Sequence, residues 1–270
     1  QSLDINPKRI EIIPRLLAIL SMLTAWDEIE NYRPDFNRIG IEGKAINPMS
    51  MMYLEDNPEI HFKRALKYSQ EQKVEALENM NCRKKNKLNI GYFSSDFKSH
   101  PISHLMVRIF ELHDKSKFNI FVYSLSNKQD LFTERIKKAV FCFREIYNLN
   151  NHQIVEIARN DEIDIAIDLN GYTKYNRKTI FSYRVAPIQI NYLGYAGTLG
   201  SNSFDYILAD KVIIPEESKE LYSEKVLYLP NSFLPHDDTK KISSKQFSRE
   251  ELGLPSDFFI YSCFNNIRKI

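Results

Sequence analysis

Cysteine is scarce in this sequence, and its three copies, Cys82, Cys142 and Cys263, are odd in number and far apart. That argues against a disulfide framework and against a four-ligand zinc site, and fits a reduced, cytoplasmic setting. A charge excess of one sign is also missing, because 37 basic and 35 acidic residues are mixed along the chain and leave a net +2. No large field is expected to gather nucleic acid or a membrane surface. Long apolar runs are absent as well. The longest, Ile10 to Ala25, is broken by Pro14 and Arg15 and followed by Asp27 and Glu28. It cannot span a bilayer, and it lacks the small-residue cleavage pattern of a signal peptide. Of the phosphate and hydrolase signatures none is present: Gly91 stands alone where a GxGxxG turn would follow the first strand, and neither a P-loop nor a G-x-S-x-G elbow occurs. Dehydrogenase, kinase-like and serine-hydrolase readings lose their main support.

What is present is ample core material, 43% hydrophobic and 12% aromatic over 270 residues, enough for one full domain plus smaller pieces. Residues Lys8 to about Asn37 read as one helix, with Ile12, Leu16, Leu17, Ile19, Leu20 and Leu23 at helical spacing, and Ile60 to Leu77 reads as a second. No self-similar repeat of tetratricopeptide length occurs here, so residues 1–87 are expected to be at most the end of such an array. Arg83, Lys84, Lys85 and Lys87 mark a solvated domain boundary.

From Leu88 onward, short β-rich runs alternate with amphipathic stretches, the pattern of a layered α/β domain with a mostly parallel, doubly wound sheet. The spacing predicts strands over Leu88–Phe93, Phe118–Leu125, Phe143–Tyr147, Ile163–Leu169, Ile188–Tyr192, Tyr206–Ala209 and Val226–Leu229. Helices are expected near His104–His113, Phe132–Val140, His152–Arg159 and Arg177–Tyr183. The lobe thus spans 88–234. A polar connector over 235–257, with Asp237, Asp238, Lys240 and Lys241, reads as a linker, and Phe258 to Phe264 reads as a strand opening a further unit over 258–270.

Open α/β sheets bind ligands beyond the carboxyl ends of their strands, which singles out four places. After the first strand, Asp96 and His100 share one loop; they fit a proton-handling pair, while spacing alone is met more often by a helix cap beside an exposed imidazole. After the fourth, Asp168-Leu169-Asn170-Gly171-Tyr172-Thr173 either lines a cleft or completes a turn. After the fifth, Leu193-Gly194-Tyr195-Ala196-Gly197-Thr198-Leu199-Gly200 gathers three of the eight glycines, suited to close backbone approach by a sugar or phosphate or to a plain turn. Last, Asn265, Asn266 and Lys269 follow the final predicted strand, where a lysine could meet a diphosphate or simply be solvated. No aspartate lies two positions from another, so the D-x-D metal clamp of many sugar transferases is missing.

These segments, in this order, resemble the protein O-GlcNAc transferases and the plant SPINDLY-type transferases, the family 41 glycosyltransferases. The strings that carry the likeness are Ile90-Gly91-Tyr92-Phe93-Ser94-Ser95-Asp96-Phe97 with His100-Pro101 and Ser103-His104-Leu105, then Asp168 to Thr173. Ala186-Pro187-Ile188-Gln189, Leu193-Gly194-Tyr195, Gly197-Thr198, Asp205-Tyr206-Ile207, Tyr222-Ser223-Glu224-Lys225, Phe264-Asn265 and Lys269 continue it. The resemblance implies a GT-B enzyme of two Rossmann-like lobes, of which the first is present here, preceded by a helical segment, and the second is cut short. It implies a metal-independent, inverting transfer without cofactor, from a nucleotide-sugar donor, UDP-GlcNAc by preference, to Ser or Thr of a protein or peptide acceptor.

By position, the likeness assigns His100 and Asp96 to the active site, Lys269 to the diphosphate leaving group, Leu193 and Gly194 to the sugar pocket and Asn266 to a place near Lys269; Thr173 and Tyr195, from the loops after the fourth and fifth strands, are added as candidate substrate contacts. Ala196 stands where a proline is usual, Ile102 where animal members have threonine, and the stretch around Asn47-Pro48-Met49-Ser50 lacks their acceptor-side histidine. Donor and acceptor therefore stay open: O-fucosyl transfer, N-glycosyl transfer to asparagine, and a non-catalytic scaffold lobe are the alternatives.

Overall fold

Seven parallel strands form one sheet in the computed structural model, which describes residues 12–72, 80 and 85–264. They are β1 (Leu88–Ser94), β2 (Phe118–Ser124), β3 (Cys142–Glu145), β4 (Ile165–Asp168), β5 (Ile188–Asn191), β6 (Tyr206–Ala209) and β7 (Lys225–Tyr228), in the spatial order β3-β2-β1-β4-β5-β6-β7. All seven strands predicted for 88–234 are present, with ends shifted by at most a few residues. The α/β, doubly wound architecture read from the sequence is the observed one.

Alternation along the strands builds two cores, one on each face. Phe93 of β1 and Tyr123 of β2 stack on one face, their ring centroids 4.3 Å apart, while Tyr92 and Val122 enter the other. Helices α4 (Pro101–Leu112) and α5 (Leu131–Ala139) cover the second face with Met106, Val107, Phe110 and Ile136. The first face is covered by α6 (Asn151–Asn160) and α7 (Thr179–Ser182) through Ile154, Val155, Ala158 and Phe181. Helix starts are locally encoded: Asp130 with Thr133 and Asn150 with Gln153 make reciprocal capping boxes for α5 and α6.

The amino-terminal segment departs from the expected single helix. α1 (Ile13–Met22) ends just before Thr24, which adopts φ 55°, and a separate α2 (Trp26–Glu30) follows, then a 3-10 turn at Arg33–Asp35. Hydrophobic periodicity runs on through such a break, so the sequence showed one helix where two fold back around a shared core of Leu17, Leu20, Ile29, Phe36 and Ile39. α3 (Pro58–Glu71) is the second predicted helix, and its expected continuation beyond Gln72 lies outside the described residues.

The predicted strand over Phe258–Phe264 does not form. Phe258, Phe259, Tyr261 and Phe264 are 71–98% exposed, and a strand needs a neighbouring strand to satisfy its amides, which this run lacks among the described residues. The beginning of the polar connector is not free either: Asp237 is ion-paired to Arg135 at 2.7 Å and Asp238 to Arg108 at 2.6 Å, which ties it to α4 and α5.

Candidate active site

Strand order reverses between β1 and β4, so the loops leaving their carboxyl ends diverge and open a crevice. One amide side chain bridges it. Asn170, 1% exposed, accepts from the Ser95 amide at 2.8 Å and donates through Nδ2 to Asp96 Oδ2 at 2.9 Å. Its Nδ2 also lies 3.0 Å from Ser95 Oγ and 3.1 Å from Thr173 Oγ1. The Asp96 backbone is fixed as well, its amide donating to Ser94 Oγ and its carbonyl accepting from Ser103 Oγ.

His100 caps α4. Its Nδ1 accepts from the Ile102 amide at 3.3 Å, with Pro101 filling the first helical position, whose missing N–H costs nothing there. Nδ1 and Asp96 Oδ2 are 3.8 Å apart, close enough for charge interaction and too far for a hydrogen bond. With Nδ1 accepting, a neutral ring carries its proton on Nε2. The arrangement makes His100 a donor through Nε2–H, and leaves proton acceptance to the carboxylate. The sequence offered a helix cap by Asp96 as one alternative; the cap is His100 instead.

A cavity of about 760 Å³ lies in front of these groups. Asp96, Lys98, His100, Thr173 and Tyr175 from the lobe, and Asn47, Met49, Ser50 and Tyr53 from the helical segment, contribute to its wall. Asn47 also fixes the two parts together, its Nδ2 donating to the Tyr172 carbonyl at 2.9 Å. Lys98, Lys128 and Lys174 reach the cavity against the single carboxylate of Asp96, which gives it a cationic rim. Below it, burial pushes the Asp168 carboxyl up to about 7 against the pull of the Asn170 and Gly171 amides and the Lys178 charge. Burial likewise brings the Lys178 ammonium down to about 8.

The loop after β5 lies at the same edge, one strand further on. Leu193 has φ 73°, and a Cβ on Gly194 would stand 2.1 Å from the Leu169 carbonyl oxygen, so only glycine lets this loop meet the β4 loop. Tyr195 packs edge-on against Tyr172, ring centroids 5.3 Å apart, and borders a smaller cavity of about 220 Å³ shared with His61 and Tyr222. Buried Glu224 holds the loop, accepting from the Leu199 amide and Thr198 Oγ1 at 2.7 Å each.

Of the residues singled out from sequence, Asp96, His100 and Thr173 line one cavity, while Leu193, Gly194 and Tyr195 share its sheet edge without forming its wall. Asn266 and Lys269 lie outside the described residues. Sequence reasoning missed Tyr53 and the bridging role of Asn170, and named Met49 only as part of a stretch lacking an acceptor-side histidine. That stretch is shaped by Asn47, which caps the 3-10 turn Pro48–Ser50.

The glycosyl transferase family 41 model matches residues 59–247. This chain belongs to that family. It is 37% identical over 190 residues to an Arabidopsis thaliana protein described as probable UDP-N-acetylglucosamine–peptide N-acetylglucosaminyltransferase SEC, covering 68% of this chain and 19% of the relative. A Caenorhabditis elegans UDP-N-acetylglucosamine–peptide N-acetylglucosaminyltransferase is 39% identical over 158 residues, 58% of this chain and 14% of its own length. A Petunia hybrida SPINDLY protein, described as a probable enzyme of the same activity, is 30% identical over 190 residues, 68% of this chain and 20% of its own. The chain thus spans about a fifth or less of these relatives. Among solved structures, a mutant of the Thermobaculum terrenum O-GlcNAc transferase superposes with a TM-score of 0.68 at 24% identity, over 86% of this chain and 46% of that one, which shows a common fold. No helix among the described residues is long and apolar enough to cross a membrane.

Proposed function

We propose that this family 41 chain is the acceptor-side lobe of a two-lobe transferase that moves N-acetylglucosamine from UDP-N-acetylglucosamine to Ser or Thr hydroxyls of proteins. The observation that carries this reading is the pairing of Asp96 and His100 in one cavity at the switch point of the sheet, with the helical segment as its opposite wall. The names of the relatives support the donor and the peptide acceptor.

The reaction is a single displacement with inversion: the hydroxyl oxygen bonds to the anomeric carbon as the bond to the diphosphate breaks, and the hydroxyl proton must leave. His100 donates from Nε2 to orient the acceptor, and Asp96 takes the proton. Charge growing on the diphosphate needs fixed donors, a role that the family likeness gives to Lys269, with Asn266 beside it and Leu193, Gly194 and Tyr195 toward the sugar. A single such donor is typically worth ~3 kcal/mol.

The test separates the two jobs of His100 in a protein carrying both lobes. His100→Asn keeps a capping acceptor for α4 and removes the Nε2–H. It should lower transfer by about tenfold to a hundredfold with nucleotide affinity changed less than about twofold. Equal loss of transfer and of nucleotide binding would make His100 a structural residue only.

A further inference from the structure

We infer that Asn170 is the positioning residue of the site, holding Asp96 by one carboxylate oxygen so that the other meets the acceptor hydroxyl. The inference rests on the transferase reading above. Asp96 has a side chain only 9% exposed, and among the described residues its carboxylate receives one hydrogen bond, from Asn170 Nδ2 at 2.9 Å. Lys98 Nζ lies 3.6 Å from Oδ1 and His100 Nδ1 lies 3.8 Å from Oδ2, both beyond hydrogen-bond reach. Neither can fix the rotation of the carboxylate.

Asn170 can, because it is itself immobilised from both sides of the crevice. Ser95 of the β1 loop donates to its Oδ1, Ser95 Oγ and Thr173 Oγ1 share its Nδ2 protons, and its own amide donates to Asp168 Oδ1 at 3.0 Å. The titratable groups around this cluster are Lys98, His100 and Asp168, with Lys128 and Lys174 on the cavity rim. An amide suits the position because it donates at every pH and adds no charge beside a carboxylate that must stay ionised.

Asn170→Asp keeps the shape and replaces the N–H by a second carboxyl. Two carboxyls at this distance share one proton and titrate as a pair, with the second step raised. While one proton bridges them the arrangement imitates the native one; once it is lost, like charges push Asp96 away. Two measurements test this. In the 270-residue chain, carbon-13 carboxyl titration resolved by residue should show, beside the Asp168 step that both chains share, a raised step at Asp96 and at the introduced carboxyl of the variant, whereas Asp96 of the native chain shows none. In a protein with both lobes, transfer by the variant should stay within a few-fold of native below that step and fall by about tenfold or more above it, while the native protein shows no fall there.

Absence of a raised step at Asp96 in the variant, or such a step that leaves transfer unchanged, overturns the inference. If the native two-lobe protein transfers no sugar, the transferase reading falls and the role of Asn170 with it. That outcome is distinguishable, because the titration reports the hydrogen bond without any activity. Should Asn170→Asp fail to fold, Asn170→Ser shortens the side chain without adding charge; it should lower kcat about tenfold or more with nucleotide affinity unchanged, and an unchanged kcat overturns the inference.

Discussion

Asp168 ends β4 beneath the candidate site, and its carboxyl, pushed up to about 7 by burial, remains protonated over much of the acid range. In the unfolded chain the same group titrates near ~3.9. Between those values the unfolded state binds fewer protons than the folded one, so the contribution is fully present at low pH and is lost as pH rises to about 7. Lys178 has the opposite sign: with its ammonium brought down to about 8, its contribution is lost as pH falls from the ordinary lysine range toward that value. Urea unfolding of the chain against Asp168→Asn should therefore show the native protein losing stability relative to the variant from about pH 4 to 7, by on the order of a few kcal/mol. Parallel pH curves would mean that Asp168 is ionised throughout. Neither this group nor Asn170 was legible as more than part of a turn string. Their properties come from burial and from partners such as Ser95, 75 positions away in the chain, which no local pattern encodes.

Elements were legible where period and length agreed and illegible where a long-range partner decided. All seven sheet strands alternate or run apolar between turn residues, and α5 and α6 announce themselves with capping boxes. The turn at Thr24 carries no glycine to mark it, and the aromatic run at Phe258 carries every strand signal except the neighbour it needs. Tyr222-Ser223-Glu224-Lys225, read only as a matching string, acquires a reason: Glu224 is the clamp for the glycine loop. α3 has a similar anchor. Arg64, fully buried, donates to the Ile39 carbonyl at 2.8 Å and the Phe36 carbonyl at 2.9 Å and pairs with Glu55 at 2.9 Å. Arg64→Leu leaves a nearly buried carboxylate and two carbonyls without it, and should cost about 3–5 kcal/mol. Hydrogen exchange should show the loss in residues 12–56 while β1, β2 and β4 keep their protection. Uniform loss across the sheet would mean that the segment and the lobe unfold as one unit.

At the scale of the whole molecule, the proposed function raises the question of which half of the reaction this chain would hold. Its cavity joins a carboxylate, an imidazole N–H and a cationic rim to a wall from the helical segment, a composition suited to a hydroxyl-bearing peptide. Affinity for a nucleotide sugar comes from several buried polar contacts acting together, and exposed lysines such as Lys128 and Lys174 do not replace them. The proposed reading has the uridine pocket in a second lobe, and the residues read as its opening strand have Phe258, Phe259, Tyr261 and Phe264 exposed and unpaired with the sheet. The 270-residue chain should accordingly show no transfer and no UDP binding by calorimetry at millimolar concentration, while its sheet gives a cooperative unfolding transition. Micromolar binding of UDP would move the nucleotide site into this lobe. The cationic rim of Lys98, Lys128 and Lys174 would then be the diphosphate contact, and the assignment of acceptor and donor sides would reverse.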